Sequence, residues 1–201
     1  VDGYQALSDL ERTQIEHTIE DDLVVHLYQS TRSGTAVAVF VSMVVFALFY
    51  RTASFGILIA WFIGFNLTLL LVFLLDLAYR KFGSNSKLNN RQWGLIYAGL
   101  IVVCTMFWGA SFFLDSMQDP THQFLSLPVL CMAASSFSTI TVGMFRLCII
   151  STGCILLPTA TWFLMQTSYH RLGGIFIVLY FVFLLTMNRR STEWLIHSLK
   201  L

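Results

Sequence analysis

The chain has 201 residues, of which 56% are hydrophobic and 11% are charged, with a mean hydropathy of +0.71 and a formal net charge of +1. A soluble domain has about 25% charged residues, and a water-soluble globule of this length could not bury so much apolar surface. The composition therefore predicts an integral membrane protein with the lipid bilayer as its main partner, and the nearly neutral charge argues against nucleic acid.

Residues 1–33 form a polar lead-in. Ser8 and Glu11 have the spacing of a capping box, which satisfies backbone donors at the start of a helix. Four apolar residues then recur at every fourth position and share one helical face: Ile15, Ile19, Leu23 and Leu27. We predict a juxtamembrane amphipathic helix. Because its other face is acidic, it is expected to pack on a neighbouring helix or subunit rather than adsorb to anionic lipid.

Residues 34–188 are predicted to form a membrane domain of six spans arranged as three helical hairpins, because a hydrocarbon layer of ~30 Å needs about 20 apolar residues per helix. The six apolar segments are Gly34–Tyr50, Ala53–Tyr79, Gln92–Leu114, Phe124–Ile140, Leu147–Met165 and Leu172–Met187. Pro128 and Pro158 lie inside two of them and are expected to kink them. The fold class is thus all-α and polytopic, and residues 189–201 form a polar exit helix.

The positive charges orient these spans. The loop from Tyr79 to Trp93 contains Arg80, Lys81, Lys87 and Arg91, and such a loop is retained in the cytoplasm. With that loop inside, ten Lys and Arg residues are cytoplasmic and two, Arg51 and Arg171, are external. This asymmetry predicts that both termini are cytoplasmic.

Two polar residues fall within the second segment, where burial in lipid is costly. Asn66 lies near mid-membrane and is expected either to line a cavity or to hydrogen bond to a neighbouring helix. Asp76 is expected to pair with Arg80 one turn later. In the third segment, Trp93 and Tyr97 are predicted to be interfacial anchors.

The sequence contains no phosphate-binding loop, nucleophile elbow or zinc-protease motif, so it predicts no catalytic residue, no cofactor and no metal site. Two groups of polar residues remain as candidate ligand sites. One is external and comprises Asp115, Asp119, His122 and His170; its alternative interpretation is ordinary solvated loop residues. The other is a polar cavity within the membrane formed by Asn66, Thr105, Ser135, Ser136 and Ser138; its alternative interpretation is helix packing.

The sixth segment continues into the exit helix without a Gly or Pro stop. Met187, Trp194 and Leu201 are seven residues apart and predict one face of a continuous rod. We interpret these three residues as candidates for signal transmission, in which a shift of the rod is passed to a C-terminal element.

The chain resembles the N-terminal membrane sensor regions, of the MASE-like type, that precede histidine kinase or diguanylate cyclase domains in bacteria. The resemblance is carried by the lead helix ERTQIEHTIEDDLVVHLYQ, by DLAYRKF, RQW and FWGASFFL, and by NRRSTEW at the exit. It implies a homodimeric sensor in the bacterial inner membrane, with an output domain beyond Leu201, in the manner of a two-component system.

Three classes of function remain. The first is a sensory membrane module that detects a small or lipophilic ligand. The second is a small transporter or channel, which the two intrahelical prolines favour and the lack of mid-membrane charges disfavours. The third is a membrane enzyme, against which the missing catalytic constellation counts.

Overall fold

The computed structural model describes residues 9–83, 89–114, 120–166 and 168–199, and these residues form an all-helical bundle. The helices are α1 (Asp9–Phe49), α2 (Phe55–Phe82), α3 (Asn90–Ser111), α4 (Pro120–Ile140), α5 (Phe145–Met165) and α6 (Ser168–Leu199). A 3₁₀ turn, Phe112–Leu114, extends α3. Asn89 and Gln92 form a capping box at the start of α3, since each side chain accepts a hydrogen bond from the other residue's backbone N–H.

Four helices are long and apolar enough to cross a membrane: Phe55–Phe82, Asn90–Leu114, Phe145–Met165 and His170–Ser198. A fifth candidate is α1, in which Leu23–Gln29 and Gly34–Phe49 meet at 47°. The bend falls where the sequence predicted the lead helix to join the first span. The segment Ser126–Ile140 of α4 is apolar but shorter. The described helices thus indicate a membrane protein with four or five candidate spans by length and composition.

The bundle is built around α5, where 56% of the most apolar stretch is buried, against 17% in the peripheral α6. The backbone of α5 approaches that of α3 closely at Gly109. A Cβ at Gly109 would lie 2.1 Å from the carbonyl oxygen of Cys154, so only glycine allows this approach. That carbonyl has no i+4 backbone donor, because the residue four positions later is Pro158. Pro158 thus leaves the Cys154 carbonyl without a backbone hydrogen bond in α5, and this carbonyl faces the α3 backbone.

Contacts between helix termini show which helices run in the same direction through the bundle. At one end, which we call the α2–α3 end, Thr31 of α1 contacts Tyr97 of α3, and Gly34 approaches Ile140 at the end of α4. At the other end, Phe49 of α1 lies beside the last residues of α3 and the first described side chains of α4. Helices α1 and α3 therefore run parallel, and α4 runs antiparallel to both.

Candidate functional site

An aromatic cluster joins α1, α2 and α3 at the α2–α3 end, and it consists of Tyr28, Tyr79, Trp93 and Tyr97. The Tyr28 ring stacks on Tyr79 with 4.0 Å between centroids and meets Tyr97 edge-on at 5.0 Å. Its hydroxyl donates to the carbonyl oxygen of Trp93 at 3.1 Å. Trp93 and Tyr97 are buried, so they pack between helices instead of forming the interfacial anchors that the sequence predicted.

A buried ion pair lies beside this cluster. The Nε atom of Arg80 donates to both carboxylate oxygens of Asp76, at 2.8 and 3.0 Å. The Asp76 side chain is fully buried, while that of Arg80 is 41% exposed. Nη2 of Arg80 also donates to the carbonyl oxygen of Tyr28 at 3.3 Å, so the guanidinium ties α2 to α1. The predicted pairing of Asp76 with Arg80 is therefore present, with a carboxylate that protein encloses.

Between α1, α2, α3 and α4 lies a cavity of about 590 Å³, which we call the four-helix cavity. Its polar side chains gather at the α2–α3 end: Thr31, Thr35, Tyr97, Ser136 and Thr139. Apolar residues, including Val41, Trp108 and Met132, line the opposite half. Met132 is 67% exposed and Val37 is 56% exposed, so the cavity opens sideways between α1 and α4.

The residues predicted to form a polar cavity lie in different helix pairs. Asn66 donates to Ser42 Oγ at 3.2 Å, which is the interhelical hydrogen bond of the alternative interpretation. Thr105 is buried and donates to Val102 within α3. Ser135 donates to Cys131 and contacts the Tyr180 hydroxyl on α6. Ser136, in contrast, lines the four-helix cavity.

The external candidate site falls mostly outside the described part of the chain. Asp115 and Asp119 lie outside the described residues, as does the side chain of His122. His170 is half-buried at the start of α6, and its ring lies edge-on to Trp162 with 6.4 Å between centroids. It also faces Phe163 at 6.1 Å. The structure therefore gives His170 an aromatic environment.

A set of uncharged hydrogen bonds, which we call the α6 clamp, holds α6 to the last turn of α4 and to the turn between α4 and α5. The Asn188 side chain donates to the carbonyl oxygen of Ser138 at 2.6 Å. The backbone N–H of Gly143 donates to Thr192 Oγ1 at 3.0 Å. Gly143 has a φ of +94°, a conformation that glycine adopts readily, and this turn presents its N–H to α6.

The opposite face of α6 is open. Met187 is 45% exposed and Trp194 is 76% exposed, whereas Asn188 and Thr192 are buried against the turn. Leu201 lies outside the described residues. Helix α6 runs without interruption through Arg189 and Arg190, so the predicted continuity of the exit helix is confirmed as far as Leu199.

Sequence reasoning missed two features of this site. Tyr28 was not singled out, because it lies about 100° around the helix from Leu27 and so falls outside the predicted packing face of the lead helix. Asn188 and Thr192 are four residues apart and therefore share a helical face. In the sequence they look like ordinary polar residues at the point where a helix leaves the membrane. Their contact with the turn could be predicted only if the residue at which α4 ends were known.

No family model, no curated protein and no solved structure matches this chain. The resemblance to bacterial sensor regions therefore depends on the sequence features alone.

Proposed function

We propose that this chain is a sensory membrane module that detects a small or lipophilic molecule and passes the signal along α6 to a cytoplasmic output domain. The observation that carries the proposal is the form of α6. It is a single helix from Ser168 to Leu199, held on one face by the α6 clamp and open on the other at Met187 and Trp194. A continuous helix transmits a rotation or shift along its length, which is useful if it biases a two-state partner.

The proposal places six spans in the bacterial inner membrane with both termini in the cytoplasm. Helix α4 supplies the sixth span: its 21 residues correspond to about 32 Å at 1.5 Å per residue, which matches the hydrocarbon layer. The ten-to-two asymmetry of Lys and Arg orients the bundle, so the α2–α3 end faces the cytoplasm.

Single cysteines in a cysteine-free variant test this orientation. We place one at Asn85, between α2 and α3, and one at Gln118, between α3 and α4; both positions lie outside the described residues. A membrane-impermeant maleimide applied to intact cells is expected to label position 118, and position 85 only after permeabilisation. Labelling of both positions from the same side would refute the six-span arrangement.

An insertion test addresses transmission. One residue inserted after Arg190 rotates the following part of α6 by about 100°, whereas seven residues restore the original face. In the protein joined to its output domain, a histidine kinase or diguanylate cyclase in our proposal, the single insertion is expected to lock or invert output. The seven-residue insertion is expected to preserve regulation. Unchanged regulation in both variants would leave α6 as a passive tether.

The partner of α6 in the proposed homodimer is the same helix of a second copy, paired through Met187, Trp194 and Leu201. A cysteine at Trp194 in an otherwise cysteine-free variant is expected to form an intermolecular disulfide on mild oxidation in membranes. A cysteine at Glu193 is the matched control, because that residue is also exposed but lies about 100° around the helix. Equal cross-linking at both positions would contradict a defined pairing face.

A small transporter is the second candidate, and the four-helix cavity favours it. Pro158 also interrupts the backbone hydrogen bonds of the central helix α5, as in transporters with broken helices. The reading frame after Leu201 separates the two candidates. A kinase or cyclase domain there supports the sensor, and a stop codon favours the transporter.

A further inference from the structure

Four of the five hydroxyl groups at the polar end of the four-helix cavity already donate their protons to other groups of the protein. Thr31 Oγ1 lies 3.1 Å from the carbonyl oxygen of Leu27 and 2.9 Å from the Tyr97 hydroxyl. A threonine hydroxyl has one proton, and a carbonyl can only accept. The arrangement that uses both protons has Thr31 donating to Leu27 and Tyr97 donating to Thr31. The Tyr97 oxygen is then left as an acceptor.

The same holds on the α4 wall. Ser136 Oγ donates to the carbonyl oxygen of Met132 at 2.9 Å, and Thr139 Oγ1 donates to that of Ser135 at 3.0 Å. Both side chains are exposed along the cavity, so their oxygen lone pairs are accessible. Together with Tyr97, they present three acceptor oxygens at one end. Thr35 supplies a further hydroxyl that can rotate to either role.

The rest of the lining restricts the charge and shape of a ligand. The described residues that line the cavity include no charged side chain, so an ionised group would lose its hydration without a counter-charge. The half that contains Val41, Trp108 and Met132 is apolar. A volume of about 590 Å³ falls within the range of sites that hold one small organic molecule.

We propose that the four-helix cavity binds an uncharged amphiphile whose polar head is a hydrogen-bond donor, namely an alcohol or phenol on an aliphatic body. The hydroxyl group donates to Ser136, Thr139 or Tyr97, and the aliphatic body lies against the apolar half. A ketone, ether or carboxylate of the same shape would place acceptor against acceptor at Ser136, Thr139 and Tyr97, and only Thr35 could donate to it. This deepens the proposed function by naming the ligand class, and it rests on that function for the claim that binding alters output.

The sideways opening between Val37 and Met132 allows such a molecule to enter from the bilayer. Its head would then lie next to Tyr97, which packs edge-on against Tyr28 of the aromatic cluster. Occupancy of the cavity thus acts at the point where α1, α3 and α4 meet.

Photolabelling of the complete chain in lipid nanodiscs tests the proposal. The probes are hexadecanol with a mid-chain diazirine and its methyl ether, which has the same body and can only accept hydrogen bonds. We expect the alcohol to label α1 and α4 peptides on the cavity wall at least fivefold more than the ether, by quantitative mass spectrometry. Equal labelling would overturn the donor preference, and alcohol labelling confined to other peptides would overturn the site.

Paired variants sharpen the result. Ser136→Ala with Thr139→Val removes two of the three acceptors, both at exposed positions, and it is expected to reduce the excess of alcohol labelling over ether labelling at least twofold. Thr186→Val is the matched control: its exposed hydroxyl on α6 also donates to its own helix, at Val182, outside the cavity. An unchanged alcohol preference in the double variant would overturn the assignment. Because labelling needs no output domain, this result is independent of the insertion test, so failure of either can be distinguished from failure of the other.

Discussion

The aromatic cluster and the α6 clamp both join helices at the α2–α3 end, but with different chemistry. The aromatic cluster buries large rings and lies beside an ion pair whose carboxylate is fully enclosed. The α6 clamp uses uncharged side chains that bond to one backbone carbonyl near the end of α4 and to one backbone N–H in the turn after it. Helices α1 to α3 are therefore joined by large contact areas and charge, whereas the exit of α6 depends on a few hydrogen bonds.

This difference indicates which region can move. Interhelical hydrogen bonds in membrane proteins contribute about 0.6 kcal/mol each on average, whereas removing one partner of a buried ion pair costs several times more. A displacement of α6 against the α4–α5 turn therefore requires less free energy than a displacement of α1 against α2 and α3. The contrast predicts that substitutions at the ion pair beside the aromatic cluster destabilise the protein more than substitutions in the α6 clamp.

The largest loss is expected at the crossing of α3 and α5, which joins a helix of the aromatic cluster to the central helix. Gly109→Ala places a Cβ against the backbone oxygen of Cys154, which cannot move away as a flexible side chain could. We expect the free energy of unfolding to fall by about 3 kcal/mol or more, at the upper end of overpacking effects. Reversible denaturation in detergent micelles measures this change.

Gly99→Ala is the matched control, because a Cβ at Gly99 on the same helix meets no atom within 4 Å. It is expected to be neutral or slightly stabilising, since alanine is the better helix former. Equal losses in the two variants would show that the close approach at Gly109 does not constrain the crossing.

The ion pair beside the aromatic cluster, between Asp76 and Arg80, should give the next largest effect. Arg80→Met leaves the enclosed Asp76 without its guanidinium partner, and we expect a loss of about 2 kcal/mol. This is less than for a fully buried pair, because Arg80 is 41% exposed. Asp76→Asn should cost less, about 1 kcal/mol, since an amide oxygen still accepts from Arg80.

A double-mutant cycle measured by the same denaturation checks the coupling. The double variant Arg80→Met with Asp76→Asn has no buried carboxylate. Its loss in the free energy of unfolding is therefore expected to be less than the sum of the losses in the two single variants. Simple additivity would mean that the two side chains do not stabilise each other.

The sequence predicted the class of the fold and much of its local structure. The helices, the pairing of Asp76 with Arg80 and the continuity of α6 all follow from hydropathy, from spacing along one helix or from the lack of helix breakers. Asn66 shows the limit: its polarity implied a partner, but Ser42 lies on another helix, and sequence spacing does not identify interhelical contacts.

The candidate site was harder to predict for the same reason. The four-helix cavity takes its walls from four helices, and its acceptor character depends on where each hydroxyl proton goes. Of the residues first grouped into a polar cavity, Ser136 lines the four-helix cavity and Thr105 and Ser135 do not, although all three donate within their own helices. Hydroxyl residues in helices have this local option, so their presence in a sequence does not establish a polar cavity.

The α6 clamp should show a smaller effect with a local signature. Thr192→Val keeps the shape of the side chain but removes the oxygen that accepts from the Gly143 N–H. We expect a loss of about 1 kcal/mol and faster hydrogen exchange at the Gly143 amide, measured by NMR in micelles. Thr186→Val, which removes only a bond within α6, should leave that amide unchanged. Unaltered hydrogen exchange at the Gly143 amide in Thr192→Val would show that the α6 clamp does not attach the exit helix to the turn.

The smallest effect is expected beyond the clamp, at the ion pair between Arg189 and Glu193. Its Nε to Oε1 distance is 3.0 Å, but the side chains are 72% and 63% exposed. Water and salt screen such a pair, so Glu193→Gln is expected to change the free energy of unfolding by less than about 0.5 kcal/mol, and less still at high salt. A salt-insensitive loss above about 1 kcal/mol would mean that the pair braces α6 as firmly as the clamp does. A small loss would mean that the exit helix is held only by its own backbone hydrogen bonds and by the α6 clamp. In that case a shift of α6 at the turn between α4 and α5 is transmitted to the C-terminal end of α6.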